Sequence, residues 1–315
     1  MSRFNHFLNP KNHNPNWLSL LRIGVAFTLI LKIIAEFNAA YLIYGSQGIV
    51  QGVINEKIFT PYTLTLHHVA DLFSSFIAEN TFINIFFVVY LILASLLLIG
   101  WQTRIMALGC WLFHVCLFNN SPMVSYGVDS FLLSLLFYCV VFPTHLTYSV
   151  DYLQKMQRYD VKTLRYYQIL LQLHLCIVYV VAGVAKLKGV TWLNGEAVWY
   201  AINQPQFYSY FTTTLVDFAA KYPIIIYVLT WGTLVAEIGY GLFIWIKKIR
   251  VFFFISIILM HLFIGLIMNL QLFALMMIVF NLAAFGTQVY ADVKVWILLL
   301  KKRSKKNNII VAVNG

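Results

Sequence analysis

The sequence predicts an all-α, polytopic integral membrane protein of about eight transmembrane helices with both termini cytoplasmic. Three observations carry that expectation: the composition, the long apolar runs, and the way Lys and Arg are shared among the loops. Of 315 residues, 61% are hydrophobic and 10% charged, and the mean hydropathy is +0.79. A soluble domain has about 45–50% apolar and about 25% charged residues. No globule of this length has interior enough for the excess, so the surplus has to face lipid.

A span needs about 20 mostly apolar residues. Eight stretches qualify, at roughly 18–43, 82–99, 104–118, 128–143, 167–186, 223–246, 251–268 and 270–286. The third is short enough to be tilted or re-entrant. The last two are separated only by Asn269 to Gln271, which calls for a tight hairpin.

Loop charge supports this count. With the N-terminus inside, the inner segments hold sixteen of the 22 Lys and Arg, from Arg3 and Lys11 through Arg104 to the tail at Lys301–Lys306. The outer loops hold only Lys57, Lys188 and Lys221. That asymmetry is the orientation signal of a membrane protein. It also accounts for the net charge of +11 without a nucleic-acid partner.

The chain then reads as a cytoplasmic segment 1–17, a membrane domain 18–290 and a basic tail 291–315, with the first span as its own insertion signal. The tail is an orientation and anionic-lipid device. Cys110, Cys116, Cys139 and Cys176 all lie in apolar runs with no CxxC pair and read as small core hydrophobes. In the outer segment 44–81, Leu66, Val69, Phe73, Phe76 and Ile77 fall on one helical face, which predicts a helix lying on the outer leaflet. The second long outer segment, 187–222, is rich in aromatics.

Charge inside hydrocarbon is costly, so intramembrane ionisable residues are the candidates for chemistry. Span 1 carries Arg22, Lys32 and Glu36, and the last two, four apart, are placed to neutralise each other. Glu237 has no cation nearby in sequence, so its partner has to come from another helix. His114, His174 and His261 each fall within a span, where interhelical hydrogen bonding competes with a ligand role. In span 5, Gln172, Tyr179 and Lys186 recur every seven residues and make a polar stripe that ends in a lysine at the outer boundary. Lys186 reads either as a snorkelling side chain or as a partly desolvated base. Asp129, at the start of span 4, falls on the same outer side, so one cleft is expected to hold both groups. Lys186, Asp129 and His261 are therefore the candidate catalytic residues, and Tyr179, Trp192 and Glu237 the candidate ligand-binding residues.

Ala182-Gly183-Val184-Ala185-Lys186-Leu187, followed by Trp192-Leu193 and Gly195, resembles the AG-x-KKL-x-DW-x-x-G signature of the vitamin K-dependent gamma-carboxylases. More broadly the chain resembles the bacterial multi-span proteins of that superfamily, which share the horizontally transferred transmembrane domain. Arg22, the stretch Gly100–Arg104, Asn119-Asn120 and Met260-His261 fit the same pattern, over roughly residues 17–290. The resemblance implies that Lys186 is the counterpart of the base that deprotonates vitamin K hydroquinone on the lumenal side. It thus brings in a reduced quinone as candidate cofactor and a bacterial plasma membrane as candidate location.

The departures are as informative. Ala185 replaces the first of two lysines, and Asp129-Ser130-Phe131-Leu132 stands where the carboxylase has His-Ser-Tyr-Leu. No counterpart of its lumenal domain is present, so gamma-carboxylation itself is not expected. A compact relative of about this length resembles the membrane subunit that matures sporulation-delaying-type antimicrobial peptides. That gives the alternative reading, a non-catalytic partner for maturation or export of a small secreted peptide. A transporter is disfavoured because inverted repeats and paired broken helices are lacking. Walker-type loops, HExxH and GxSxG are also lacking, which argues against nucleotide, zincin and elbow-serine hydrolysis.

Overall fold

A computed structural model describes residues 15–49, 63–120, 123–154 and 160–299. All the described secondary structure is helical. In chain order the helices are α1 Asn16–Phe37, α2 Ala40–Tyr44, α3 Leu66–Phe73, α4 Glu79–Ile99, α5 Thr103–Asn120, α6 Gly127–Val141, α7 Val150–Gln154, α8 Val161–Lys186, α9 Val190–Leu193, α10 Ala197–Ile202, α11 Tyr210–Lys221, α12 Ile224–Phe243, α13 Lys247–Ile267 and α14 Gln271–Leu299. Helices stand at all eight expected stretches. Six of them, α1, α4, α8, α12, α13 and α14, are long and apolar enough to cross a membrane. The other two are α5, which carries Arg104 in its first turn, and α6, with 15 residues. The protein is an all-α, multi-pass membrane protein in contact with the bilayer, and its surface fits this. Phe27, Ile92, Ile177, Val235 and Phe252 are all exposed, which only a hydrocarbon solvent makes favourable.

The described residues form two compact units. One comprises those within Pro10–Leu164 together with Leu275–Val279; the other comprises Arg165–Ala274 and α14 from Phe280 onward. In the first unit α1 packs on α4 and α6, and α5 packs on α4 and α6. In the second, α12 packs on α13, with α10 and α11 against them. Close helix approach depends on small residues. A methyl group on Gly24 of α1 would lie 2.6 Å from Val279 Cγ2.

Arg22 fixes one end of the first unit. Its fully buried guanidinium donates to the carbonyls of Thr144, at 2.8 Å, and Tyr148, at 2.6 Å. It thereby satisfies the carbonyls that the chain exposes after α6 ends. Beside it, α4 ends at Gly100 with φ +75, whose N–H bonds to Leu96 and Leu97. Glycine is required here twice over. The left-handed backbone disfavours any other residue, and a Cβ would stand 2.8 Å from Arg22 Nη1.

Asp151, on α7, accepts from the Gln102 and Thr103 backbone N–H groups and from the Thr103 hydroxyl, so α5 is capped from a distant residue. Burial works to raise its carboxyl pKa, but the hydrogen bonds from Thr103 and Gln102 outweigh this and hold it below the usual range. Because the folded value is depressed, this stabilisation is present above the unfolded carboxylate pKa of about 3.9 and is lost as pH falls through the folded value.

The helix expected to lie on the outer leaflet is shorter than its pattern suggests. It spans only Leu66–Phe73, with Leu66 and Ala70 as its buried positions. Phe76 lies beyond its end and is 83% exposed. The expected face is cut because Phe73 and Asp71 carbonyls close turns onto Ile77 and Ser74 instead of extending the helix. Asn119 and Asn120, at the end of α5, hold this segment by bonding the Leu64 carbonyl and the His67 N–H. The basic tail at Lys301–Lys306 and residues 50–62 lie outside the described residues.

Gly100→Ala is expected to destabilise the protein by about 1–3 kcal/mol, read as a lower melting temperature in detergent. Asp151→Asn is expected to lower stability near neutrality, because its amide nitrogen would face an N–H or hydroxyl donor that the carboxylate now accepts from, and to flatten the acid limb of a stability-versus-pH curve.

Candidate functional site

Lys186 is the last residue of α8, where it faces α12. Its ammonium lies 2.8 and 2.7 Å from the two carboxylate oxygens of Glu237, fifty-one residues away. The glutamate side chain is 8% exposed and the lysine 26%, so the pair is open at the lysine end. The helices meet because Gly183 and Gly241 are small: a Cβ on Gly183 would strike Ile238, and one on Gly241 would lie 2.9 Å from the Cys176 carbonyl. After Lys186 the chain turns into α9, which puts Trp192 with its ring centroid 5.5 Å from Lys186 Nζ. An ammonium over an aromatic face, with a carboxylate behind it, is held by both the charge and the ring quadrupole.

One helical turn or more deeper, Tyr179 and His261 meet across α8 and α13, 2.8 Å apart at the tyrosine hydroxyl and Nε2. The Asn281 amide of α14 donates to the same hydroxyl at 2.6 Å. The Tyr179 oxygen that accepts from Asn281 therefore also shares a hydrogen bond with His261 Nε2. All three side chains are buried, and Nδ1 itself has no hydrogen-bond partner among the described residues.

Immediately after Asn281 the α14 helix widens into a π turn, Leu282–Gly286. Such turns release carbonyls from the helical ladder. The Ala284 carbonyl takes its hydrogen bond from Gln172 Nε2 at 2.6 Å, with Gln168 also close. The polar stripe of span 5 is thus divided between two tasks: Gln172 holds the π turn, while Tyr179 and Lys186 bond to His261 and Glu237.

Asp129 has a different setting, in the first unit. It stands at the start of α6 and accepts from the Tyr126 N–H at 3.0 Å. It also lies 2.8 Å from Lys32 Nζ. Lys32 in turn is bonded to Glu36, the i,i+4 neighbour, and Tyr44 donates to Glu36 at 3.0 Å. His114 bonds the Tyr90 hydroxyl and the Asp129 carbonyl. Both His114 and His261 therefore make interhelical hydrogen bonds. His174 rests edge-on against Phe280, at 5.5 Å between ring centroids.

Of the candidate residues, Lys186, Glu237 and Trp192 come together in one group, and Tyr179 with His261 in another, both in the second unit. Asp129 belongs to the Lys32 cluster of the first unit. Asn281, Lys32 and Tyr44 enter these groups without having been singled out as site residues. An amide in an apolar run was a signal for Asn281, and the i,i+4 pair a signal for Lys32; Tyr44 gave none. An apolar groove of about 610 Å³ opens between α12 and α13, lined by Val228, Gly232, Ala236, Phe252 and Met260 among others. Neither Lys186 nor Glu237 lines it.

The HTTM domain family model matches residues 11–288, nearly the whole chain. No curated protein and no solved structure matches it.

The Lys32 cluster holds one ammonium against two carboxylates, which fixes the order of its variants. Lys32→Met leaves two facing carboxylates in a buried site and is expected to abolish accumulation of folded protein, a loss of about 3–5 kcal/mol. Asp129→Asn leaves a neutral Lys32–Glu36 pair and a side-chain oxygen to cap α6, so it is expected to cost about 1 kcal/mol. Fluorescence-detected size-exclusion chromatography with thermal challenge reads both.

Proposed function

The chain belongs to the HTTM domain family, the carboxylase-like membrane superfamily, and on that premise we propose that the Lys186–Glu237 pair is an outward-facing proton-transfer and anion-holding site. Its substrate class is a hydrophobic molecule with an acidic hydroxyl, for which a quinol is the reading that the family suggests. The outward direction rests on the loop-charge asymmetry. The observation that carries the proposal is that one carboxylate uses both of its oxygens on a lysine still open to a ligand.

The pair has two neutral forms. One is ammonium and carboxylate; the other, reached when a proton passes along the short hydrogen bond, is amine and carboxylic acid. A low-dielectric surrounding narrows the gap between them because it penalises separated charge. When an acidic hydroxyl meets Lys186, its proton is passed to Glu237. The lysine ammonium then stays against the oxygen anion left behind, and no net charge has entered the membrane. Trp192 shields one side of Lys186 from water. Tyr179 and His261 stand within electrostatic reach of the pair, Tyr179 toward Glu237 and His261 toward Lys186.

The donor set fits such a ligand: a cation for the oxygen, a carboxylate for the proton, an indole for an aromatic ring. A quinol would supply the acidic hydroxyl and an electron-rich ring. The aromatic outer segment of α9–α11 keeps open the second reading, a docking face for a small exported peptide.

The test is native mass spectrometry with lipid extraction on wild type, Lys186→Ala and the isosteric Glu237→Gln. Wild type is expected to retain a quinone. Lys186→Ala is expected to lose it, and Glu237→Gln to retain it with proton transfer slowed about 10²-fold or more. If all three carry only bulk phospholipid, the quinol reading fails. Co-purification of a secreted peptide in its place would support the second reading.

A further inference from the structure

A second pocket, apart from the Lys186 pair, carries its own chemistry. It lies between α10, the end of α11 and the start of α12, has a volume of about 330 Å³, and is lined by Glu196, Trp199, Tyr200, Pro223, Ile226 and Tyr227 among others. Three of these are aromatic, and among the described residues none of the three rings stacks on another ring. Glu196 is half-buried, and its carboxylate makes no hydrogen bond or ion pair among the described residues.

The walls are rigid. Val198 and Ile202 on the inner face of α10 pack with Ala219 and Ile226, and the Val198 N–H bonds Thr230 of α12. Gly195, with φ +79, lets the chain pass so close to Tyr227 that a Cβ there would lie 3.1 Å from its Cε1.

Aromatic faces around an unpaired carboxylate attract an organic cation, because the rings present negative potential and the carboxylate a full charge. An anion is repelled, and an apolar ligand would leave the carboxylate desolvated without a partner. The volume stands at the lower end of small-molecule pockets, about 300–1,000 Å³, and suits a headgroup rather than a whole lipid.

The surroundings favour a lipid source. Ile224, 66% exposed, and Val228, 64% exposed, begin a row of outward apolar residues on α12 that continues through Trp231 and Val235. Phe211, Phe218 and Tyr222 are exposed on and beside α11. Apolar faces with Trp and Tyr at their ends mark the membrane–water boundary, where phospholipid headgroups are concentrated. Lys221, exposed and next in sequence to the lining residue Ala220, supplies a cation on the same helix for a headgroup phosphate. We infer that this pocket binds the ammonium headgroup of a zwitterionic phospholipid. The inference is independent of the quinol reading, since no residue of the Lys186 pair takes part.

The full chain would be reconstituted in nanodiscs containing equal parts of phosphatidylethanolamine, phosphatidylcholine and phosphatidylglycerol. After mild delipidation, the lipids still bound would be identified by native mass spectrometry. Wild type is expected to retain the two ammonium lipids over phosphatidylglycerol by about tenfold, and added tetramethylammonium to erase that preference. Glu196→Gln and Tyr200→Leu are expected to bring the ratio near one with melting temperature unchanged, and Trp199→Leu to do so with a lower melting temperature because Trp199 packs against the Val198–Ile226 cluster, while Trp296→Leu, on an exposed part of α14, leaves it as in wild type. A flat ratio in wild type, or a preference that all three pocket variants retain, overturns the inference. So does a flat lipid ratio with binding of a tetralysine peptide that Glu196→Gln removes, which would make the pocket a peptide site.

Discussion

The structure depends on one constraint: a charge placed among apolar helices must find a partner elsewhere in the fold, either a counter-charge or a set of carbonyls. Two residues of opposite sign, fifty-one positions apart, meet at Lys186 and Glu237. Lys32 does the same with Asp129 across α1 and α6, and with Glu36 along α1. Lipid offers no solvation to an ion left alone, so each pair commits its two helices to one register and one facing. The glycines complete the arrangement: Gly183 and Gly241 bring the α8 and α12 backbones close enough for a lysine end to reach a carboxylate. Packing between apolar surfaces gives little direction in hydrocarbon, where lipid tails are as apolar as leucine. Direction comes from the polar contacts.

The same logic explains the uncharged polar groups. The buried carbonyl released by the π turn of α14 is met by Gln172, and the carbonyls after α6 by Arg22. Each bonds across elements far apart in sequence. The Tyr179–His261–Asn281 group joins α8, α13 and α14 through one hydroxyl. What distinguishes the Lys186 pair from these is its partial opening. The others are closed into the protein and act as fasteners, whereas Lys186 retains exposure at the end of its helix.

Much of the fold could be read from the sequence because hydropathy reports on a solvent as uniform as hydrocarbon. The helices, the tight hairpin at Asn269 and the Lys32–Glu36 neighbour pair all follow from local rules. Which helices face each other does not follow, because a 3.6-residue periodicity marks a face without naming its partner. Glu237 was legible as a residue needing a cation from another helix, yet nothing local identified that cation as Lys186. The partners of Asp129, Lys32 and the Tyr126 N–H, arise from the packing of α1 on α6 and from the cap of α6, and the first of these no local pattern names. The α3 helix is shorter than its hydrophobic face because the turns after Phe73 compete successfully with helix extension. The π turn after Asn281 leaves no periodic trace, since five residues are too few to shift the pattern.

The most direct test of the central constraint is a double-mutant cycle on the Lys186–Glu237 pair, with thermal unfolding in nanodiscs measured for Lys186→Met, Glu237→Leu and the two together. Either single change leaves a lone ion among apolar helices, and each is predicted to destabilise by about 3–5 kcal/mol. The double variant, with both charges gone, is predicted to regain most of that loss. Losses that simply add would show that the two residues do not depend on each other, and would contradict the account.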